Sequence, residues 1–277
     1  SLVVNTLADA LSNIDGVTSL REAVNLAQTD GLTTPVTFDP TVFAIPQSTA
    51  VPFSPISITG DVEIIGPAAG VSLTGMTLSI SGGTVSLSRL TFRGQMSAPY
   101  IQITGTPTVT ITGCTLGSGQ FFASLPMIND GGTVTLRNCT VANNDVGSNS
   151  TASALYLITG TLLLENCTVA ANLGVTAIEI AGGTFSMGNT LVAGNTGDAG
   201  IHVNGPLSLM HVTVAHNDGG VNFNPPTNEP LVMVNSIVYD NGWSLGAGPN
   251  GTMDIRYSDV EDGVAGVGNI DAPPAFV

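Results

Sequence analysis

Val85-Ser86-Leu87-Ser88-Arg89-Leu90-Thr91-Phe92 sets apolar residues two apart, then a polar pair, then a second short alternation. The phrase returns from Val109, Val134, Leu162, Phe185, Leu207, Leu231 and Met253, at steps of 24, 25, 28, 23, 22, 24 and 22 residues. Asp61-Val62-Glu63-Ile64 opens a fainter copy before it. Period-2 alternation marks strands with one buried face, and no 3.6-residue pattern competes with it. A repeat of this length holds three short strands and their turns, and each coil needs its neighbours to bury its inward side chains. The expectation is an all-β chain folded as a single-stranded, right-handed parallel β-helix of about nine to eleven coils. At about 4.8 Å per coil, nine phrases make a rod on the order of 40 Å long.

Outward from the phrase, the register divides the chain. Residues 61–277 carry the helix, with the last coil and its cover at 253–277. Residues 1–60 read as an N-terminal cap with irregular first coils. In that cap Ser19-Leu20-Arg21-Glu22 fits a capping box, and Leu20, Ala23, Val24, Leu26 and Ala27 are read as one apolar face of a helix over 19–28. Such a helix would protect the open strand edges of the first coil.

Charged residues make up 9% of the chain, against roughly 25% in an average soluble domain. Five Arg, no Lys and 20 acidic residues leave a net charge of -15. That field repels polyanions, so nucleic acid is excluded as a partner. No apolar run reaches the length of a membrane span. The lack of Lys favours an extracellular or cell-surface location.

The register also assigns residues that otherwise look chemical. Cys114, Cys139 and Cys167 occupy one inward column with Leu90, Thr190, Val212, Ser236 and Ser258, which reads as buried free thiols packed as small hydrophobes. Asn138, Asn166, Asn189 and Asn235 share one turn position, with His211 between them. Asn144, Asn172, Asn195, Asn217 and Asn241 share another. Both read as asparagine ladders.

"VVNTLADALSNIDGVTSLREAVNLAQ" followed by "VTFDP", and the closing "YSDVEDGVAGVGNIDAPPAF", resemble bacterial surface and secreted β-helix repeat proteins with a CSLREA-type N-terminal segment. Thr18 stands where that family usually has Cys. The resemblance implies a secreted or surface-displayed protein and brings no settled activity.

Function has few places to hide. Aligning the third strand of each coil puts Gln102, Tyr156, Glu179, His202 and Asn222 in one outward column, with Glu179 and His202 on adjacent coils. Were the chain an enzyme, Glu179, His202 and Tyr156 would be its catalytic candidates. Catalysis is nevertheless disfavoured. β-Helix pectin lyases use a cationic base beside Ca²⁺, glycoside hydrolases use paired carboxylates, and neither set is concentrated on one strand face here.

No cofactor is expected. Ca²⁺ is the one candidate ion, at Asp254, Asp259, Glu261 and Asp262 in the last coil. Phe121 and Phe122, and Asn149, sit in the two longest loops, which are candidate ligand or partner surfaces. Leu2, Val3 and Val4 at one end, with Phe276 and Val277 at the other, are candidate assembly ends for self-association by strand addition. Rows of Thr on the first and second strands suggest ice binding as a third reading. The leading expectation is a non-catalytic structural protein, a surface adhesin module or self-assembling fibre subunit whose partners are itself or surface glycans. The alternative is a carbohydrate-active enzyme or carbohydrate-binding module.

Overall fold

In the computed structural model the described residues are 2–9, 16–29, 34–50, 54–93, 99–119, 126–145, 153–174 and 176–275. Their strands stack in parallel as a right-handed β-helix with three faces. The phrase forms the first face, where Val85, Val109, Val134, Leu162, Phe185, Leu207, Leu231 and Met253 follow one another in register. The second face is a separate sheet of ten strands among the described residues. Third-face and first-face strands fuse in two coils, as Met127–Arg137 and Ser153–Glu165, which joins those faces into one sheet.

Corners dictate the sequence as firmly as strands do. Between first and second faces the chain turns on one left-handed residue per coil, with φ near +50° at Arg89, Asn138, Asn166, Asn189, His211, Asn235 and Tyr257. Asn is common there because its short polar side chain tolerates that conformation. At the corner leading into the first face, glycines stack. A Cβ on Gly183 would lie 2.4 Å from the carbonyl oxygen of Gly160, and one on Gly131 would lie 2.3 Å from that of Gly105.

The two Asn columns differ. In the first, coil-to-coil bonds run through the backbone, as in Asn138 N–H to Glu165 O at 3.0 Å. Stacked side-chain amides are confined to the second column among the described residues, so only that one is an amide ladder. There Asn144 donates to Asn172, Asn172 to Asn195 and Asn195 to Asn217 at 2.8 Å each, and Asn217 donates to Asn241 at 2.9 Å. Each amide also donates to a strand carbonyl, such as Val141 O from Asn172 and Val169 O from Asn195. The column from Asn144 to Asn217 is buried.

The cysteine column is a third ladder, of thiols and hydroxyls. All three cysteines are free and buried. Cys139 Sγ donates to Ile111 O and Arg137 O at 3.3 Å, while Thr190 Oγ1 and Ser236 Oγ make the corresponding bond to Gly188 O and Val234 O. The γ atom also accepts from the coil before, as Ser236 Oγ does from Val212 N–H and Ser258 Oγ from Ser236 N–H. Cys, Thr and Ser interchange in this column because each carries a donor and acceptor at the γ position. Burial pushes the Cys114 thiol up to about 11, so it stays a protonated donor.

The ends are built from the N-terminal segment before residue 60 and from the closing segment after Tyr257. Leu2–Val4 and Val36–Phe38 prove to be first-face strands in the stack, and Ile56–Ile58 starts the third face, so these first coils are more regular than their sequence suggests. Helix Leu20–Thr29 closes the same end. Ser19 N–H donates to Glu22 Oε2 at 2.9 Å and Glu22 N–H to Ser19 Oγ at 3.3 Å, a reciprocal capping box. Arg21 is buried, forked onto Asp9 at 2.9 and 3.1 Å and donating to the carbonyls of Pro55 and Ser54. Gln28 satisfies the third-face edge at Ser57 O and Thr59 N–H. At the other end Asn269 Oδ1 takes the next step of the hydroxyl ladder by accepting from Ser258 N–H, and Ile270 pairs with Asp259. Both segments therefore act as structural caps.

Candidate functional site

The outward row of the third face carries polar side chains on several successive coils. Pairing places Gln102, Ile128, Tyr156, Glu179, His202, Asn222 and Gly246 on successive coils. Inward neighbours on these strands, Leu155, Ile178, Ile201 and Val221, are buried and fix the row on a rigid sheet.

Glu179 and His202 meet at 2.9 Å, Oε2 to Nδ1, with side chains 19% and 27% exposed. Arg137 and Glu165, an ion pair on the first face, are 53% and 37% exposed. The third-face pair is thus the more sheltered of the two. The hydrogen bond that His202 donates to Glu179 is the largest cause holding the His202 pKa above its ordinary value, with partial burial opposing it and the charges of Glu179 and Asp198 adding to the rise. Nδ1 is thereby fixed as the donor, leaving Nε2 as the ring atom that Glu179 does not engage.

Sequence reasoning missed Trp243. A side chain on Gly219 would lie 2.6 Å from Cε2 and Cζ2 of its indole, so the absence of one lets the ring lie against the backbone of the preceding coil. A Cβ on Gly246 would sit 3.5 Å from both Trp243 Cζ3 and Asn222 Oδ1. The indole therefore flanks the outward slot that continues the row past Asn222. The signal was available as Gly219-Gly220 one coil before an isolated Trp.

The chain takes a known shape. Over 93% of its length and 78% of the other chain, it superposes on the crystal structure of pectate lyase Pel9A with a TM-score of 0.53 and 10% sequence identity. No family model and no curated protein sequence matches it. The likeness is one of fold.

The remaining candidates are dispersed. Asp254 bonds Arg256, Asp259 accepts from Ala272 N–H, and Glu261 accepts from Asp240 N–H and Ser244 O–H, with Asp262 on a left-handed turn. Among the described residues no three His, Cys, Asp or Glu side chains converge on a common centre. His216 pairs with Asp240 at 2.7 Å on an exposed corner. A cavity of 310 Å³ opens at the C-terminal mouth, walled by Trp243, Leu245, Met253, Val260 and Val264. An open groove of 440 Å³ on the first face holds Asp61 and Glu63.

Leu2, Val3 and Val4 form an edge strand of the first face, and Met253, inward on its last strand, is half-exposed. The Thr rows are in register but interrupted by Leu163 on the first face and Leu191 on the second. Phe121, Phe122, Asn149, Phe276 and Val277 lie outside the described residues. No described helix is long and apolar enough to cross a membrane.

Proposed function

We propose that the protein is a non-catalytic extracellular adhesion module whose third-face row engages surface glycans. The carrying observation is the sheltered Glu179–His202 pair set in a row with Tyr156 and Asn222, an arrangement of hydrogen-bonding groups that orients a polyhydroxyl ligand. The pair does not supply the machinery of polysaccharide cleavage. The row holds one carboxylate, and that carboxylate is the partner of His202, whereas glycoside hydrolysis uses two flanking the scissile bond. β-Elimination needs a cationic base, yet the chain has no Lys and none of its five Arg belongs to the third-face row: Arg21 is buried in the cap, Arg89 sits at a corner, Arg93 ends the second-face strand Leu90–Arg93, and Arg137 and Arg256 are paired on the first face. Extracellular placement is supported by the family resemblance of the two end caps and by the absence of Lys.

The test incubates the protein with polygalacturonate and with neutral polysaccharides, following unsaturated product and new reducing ends, in parallel with binding to the same polymers immobilised. Saturable binding to at least one of these polymers, without product from any, is expected, weakened by Glu179→Ala and His202→Ala. Turnover that depends on Glu179 overturns the adhesion reading in favour of a carbohydrate-active enzyme.

A fibre subunit is the second reading, favoured by Met253. Parallel addition of a second copy's Leu2–Val4 beyond Thr252–Arg256 would extend the first face; Leu2 belongs to the inward column that ends at Ile255, so a two-residue shift of register would bring Leu2 and Val4 over Met253 and Ile255. The capping helix Leu20–Thr29 opposes simple stacking, and sedimentation velocity of the purified chain separates rods from monomers.

A further inference from the structure

The geometry points to an extended, neutral, β-1,4-linked glycan as the ligand of the third face, lying along the stacking axis with Trp243 as its stacking platform. This rests on the adhesion reading and goes further by naming the ligand class and its direction. Three observations carry it.

First, the row offers one side chain per coil, at intervals of about 4.8 Å. That is close to the advance per sugar of a β-1,4-linked hexose ribbon, so successive sugars meet successive coils without changing register. Tyr156, Glu179, His202, Asn222 and the slot above Gly246 span four steps, roughly 19 Å.

Second, three consecutive polar groups lie between an aromatic at either end, Tyr156 and Trp243, which together offer a sugar both hydrogen bonds and a stacking face. Hydroxyls in the plane of a hexose ring are met by Glu179, His202 and Asn222. Its C–H face is met by the indole of Trp243, held against Gly219 and partly open to solvent, with Tyr156 toward the other end. Gly246 leaves the place beside Trp243 Cζ3 and Asn222 Oδ1 unfilled, which is where a terminal sugar would stack.

Third, charge selects among glycans. A net charge of -15, with the Glu179 carboxylate in the row itself, disfavours uronate polymers and leaves neutral ones. The ligand chemistry is accordingly opposite to that of an acidic pectin chain.

Trp243 is the single tryptophan of the sequence, so its fluorescence reports this site directly. Cellohexaose titrated into the full chain is expected to shift Trp243 emission saturably, with affinity rising from the disaccharide to about five sugars and then levelling, in step with the number of coils. By calorimetry, Trp243→Ala should weaken cellohexaose binding about tenfold or more, and Trp243→Phe should retain part of it. Tyr156→Ala should weaken the hexaose and spare the disaccharide.

Cellohexaose binding that is unaffected by Trp243→Ala overturns the inference. So does binding of polygalacturonate oligomers in place of the neutral chain; if Trp243→Ala abolishes that binding, the adhesion reading survives without the neutral-ligand assignment. Absence of binding to every glycan tried overturns both. Circular dichroism and the unfolding midpoint of each variant show whether a loss reflects the site or the fold.

Discussion

Replacing Asn195 with Ala should remove about 3 kcal/mol of stability. Asn195 Oδ1 accepts from Asn172 Nδ2 at 2.8 Å and from Asn172 N–H at 3.0 Å, and Asn195 Nδ2 donates to Asn217 Oδ1 and Val169 O. In the Ala variant the buried Asn172 N–H loses its acceptor, at about 2 kcal/mol, and the Asn172 amide loses one of its two acceptors, at about 1 kcal/mol. Asn241→Ala at the half-buried end of the ladder should cost about 1 kcal/mol, because water replaces the lost partner. Asn195→Asp sharpens the argument. It sets a carboxylate oxygen against Asn217 Oδ1 and Val169 O, so the charged form is the more destabilised and the folded-state pKa of the introduced acid rises above about 3.9. The penalty is then full above that raised pKa and shrinks as pH falls through it, since the protonated acid donates again. Guanidinium unfolding followed by circular dichroism between pH 4 and 8 reads both effects. A cost below about 1 kcal/mol for Asn195→Ala, or an Asn195→Asp variant no more pH-dependent than the parent, would refute the claim that the buried ladder stabilises the stack.

Three further outcomes follow from single features. Ala171 holds a left-handed φ of 52° at the turn where Asn143 and Gly194 stand in other coils, so Ala171→Gly should raise stability by about 1 kcal/mol in the same unfolding assay. Asp9→Ala leaves Arg21 charged and buried without its partner and should destabilise the N-terminal cap by about 3 kcal/mol, seen as early proteolytic nicking near the helix. Because Glu179 raises the His202 pKa, their pairing contributes stability that is complete below about pH 6.5 and is lost as pH rises through the folded value. The contribution is under about 1 kcal/mol, and Glu179→Gln should abolish the raised His202 titration observed by NMR.

Much of this was legible because a solenoid repeats its constraints. One coil's Val85 and Leu87 predict the inward columns of the others, and the column arithmetic that buried Cys139 also set Glu179 beside His202. What escaped lies where a constraint is stated once. Asp9 and Arg21 are joined only by the fold, twelve residues apart with no pattern between them. Leu2–Val4 and Val36–Phe38 stand a long connection apart, so no period ties them to the first face. Trp243 belongs to no column, and its place depends on glycines of the preceding coil. The cysteine column was read as hydrophobic because hydropathy hides what Cys, Thr and Ser share, a γ atom that both donates and accepts.

A crystal structure of the protein with cellohexaose tests the central claim most directly. The account predicts an intact, unbroken chain lying along the third face, one sugar per coil from Tyr156 to Gly246, with the last ring stacked on Trp243. A chain bound on another face, or one cleaved beside Glu179, would contradict it.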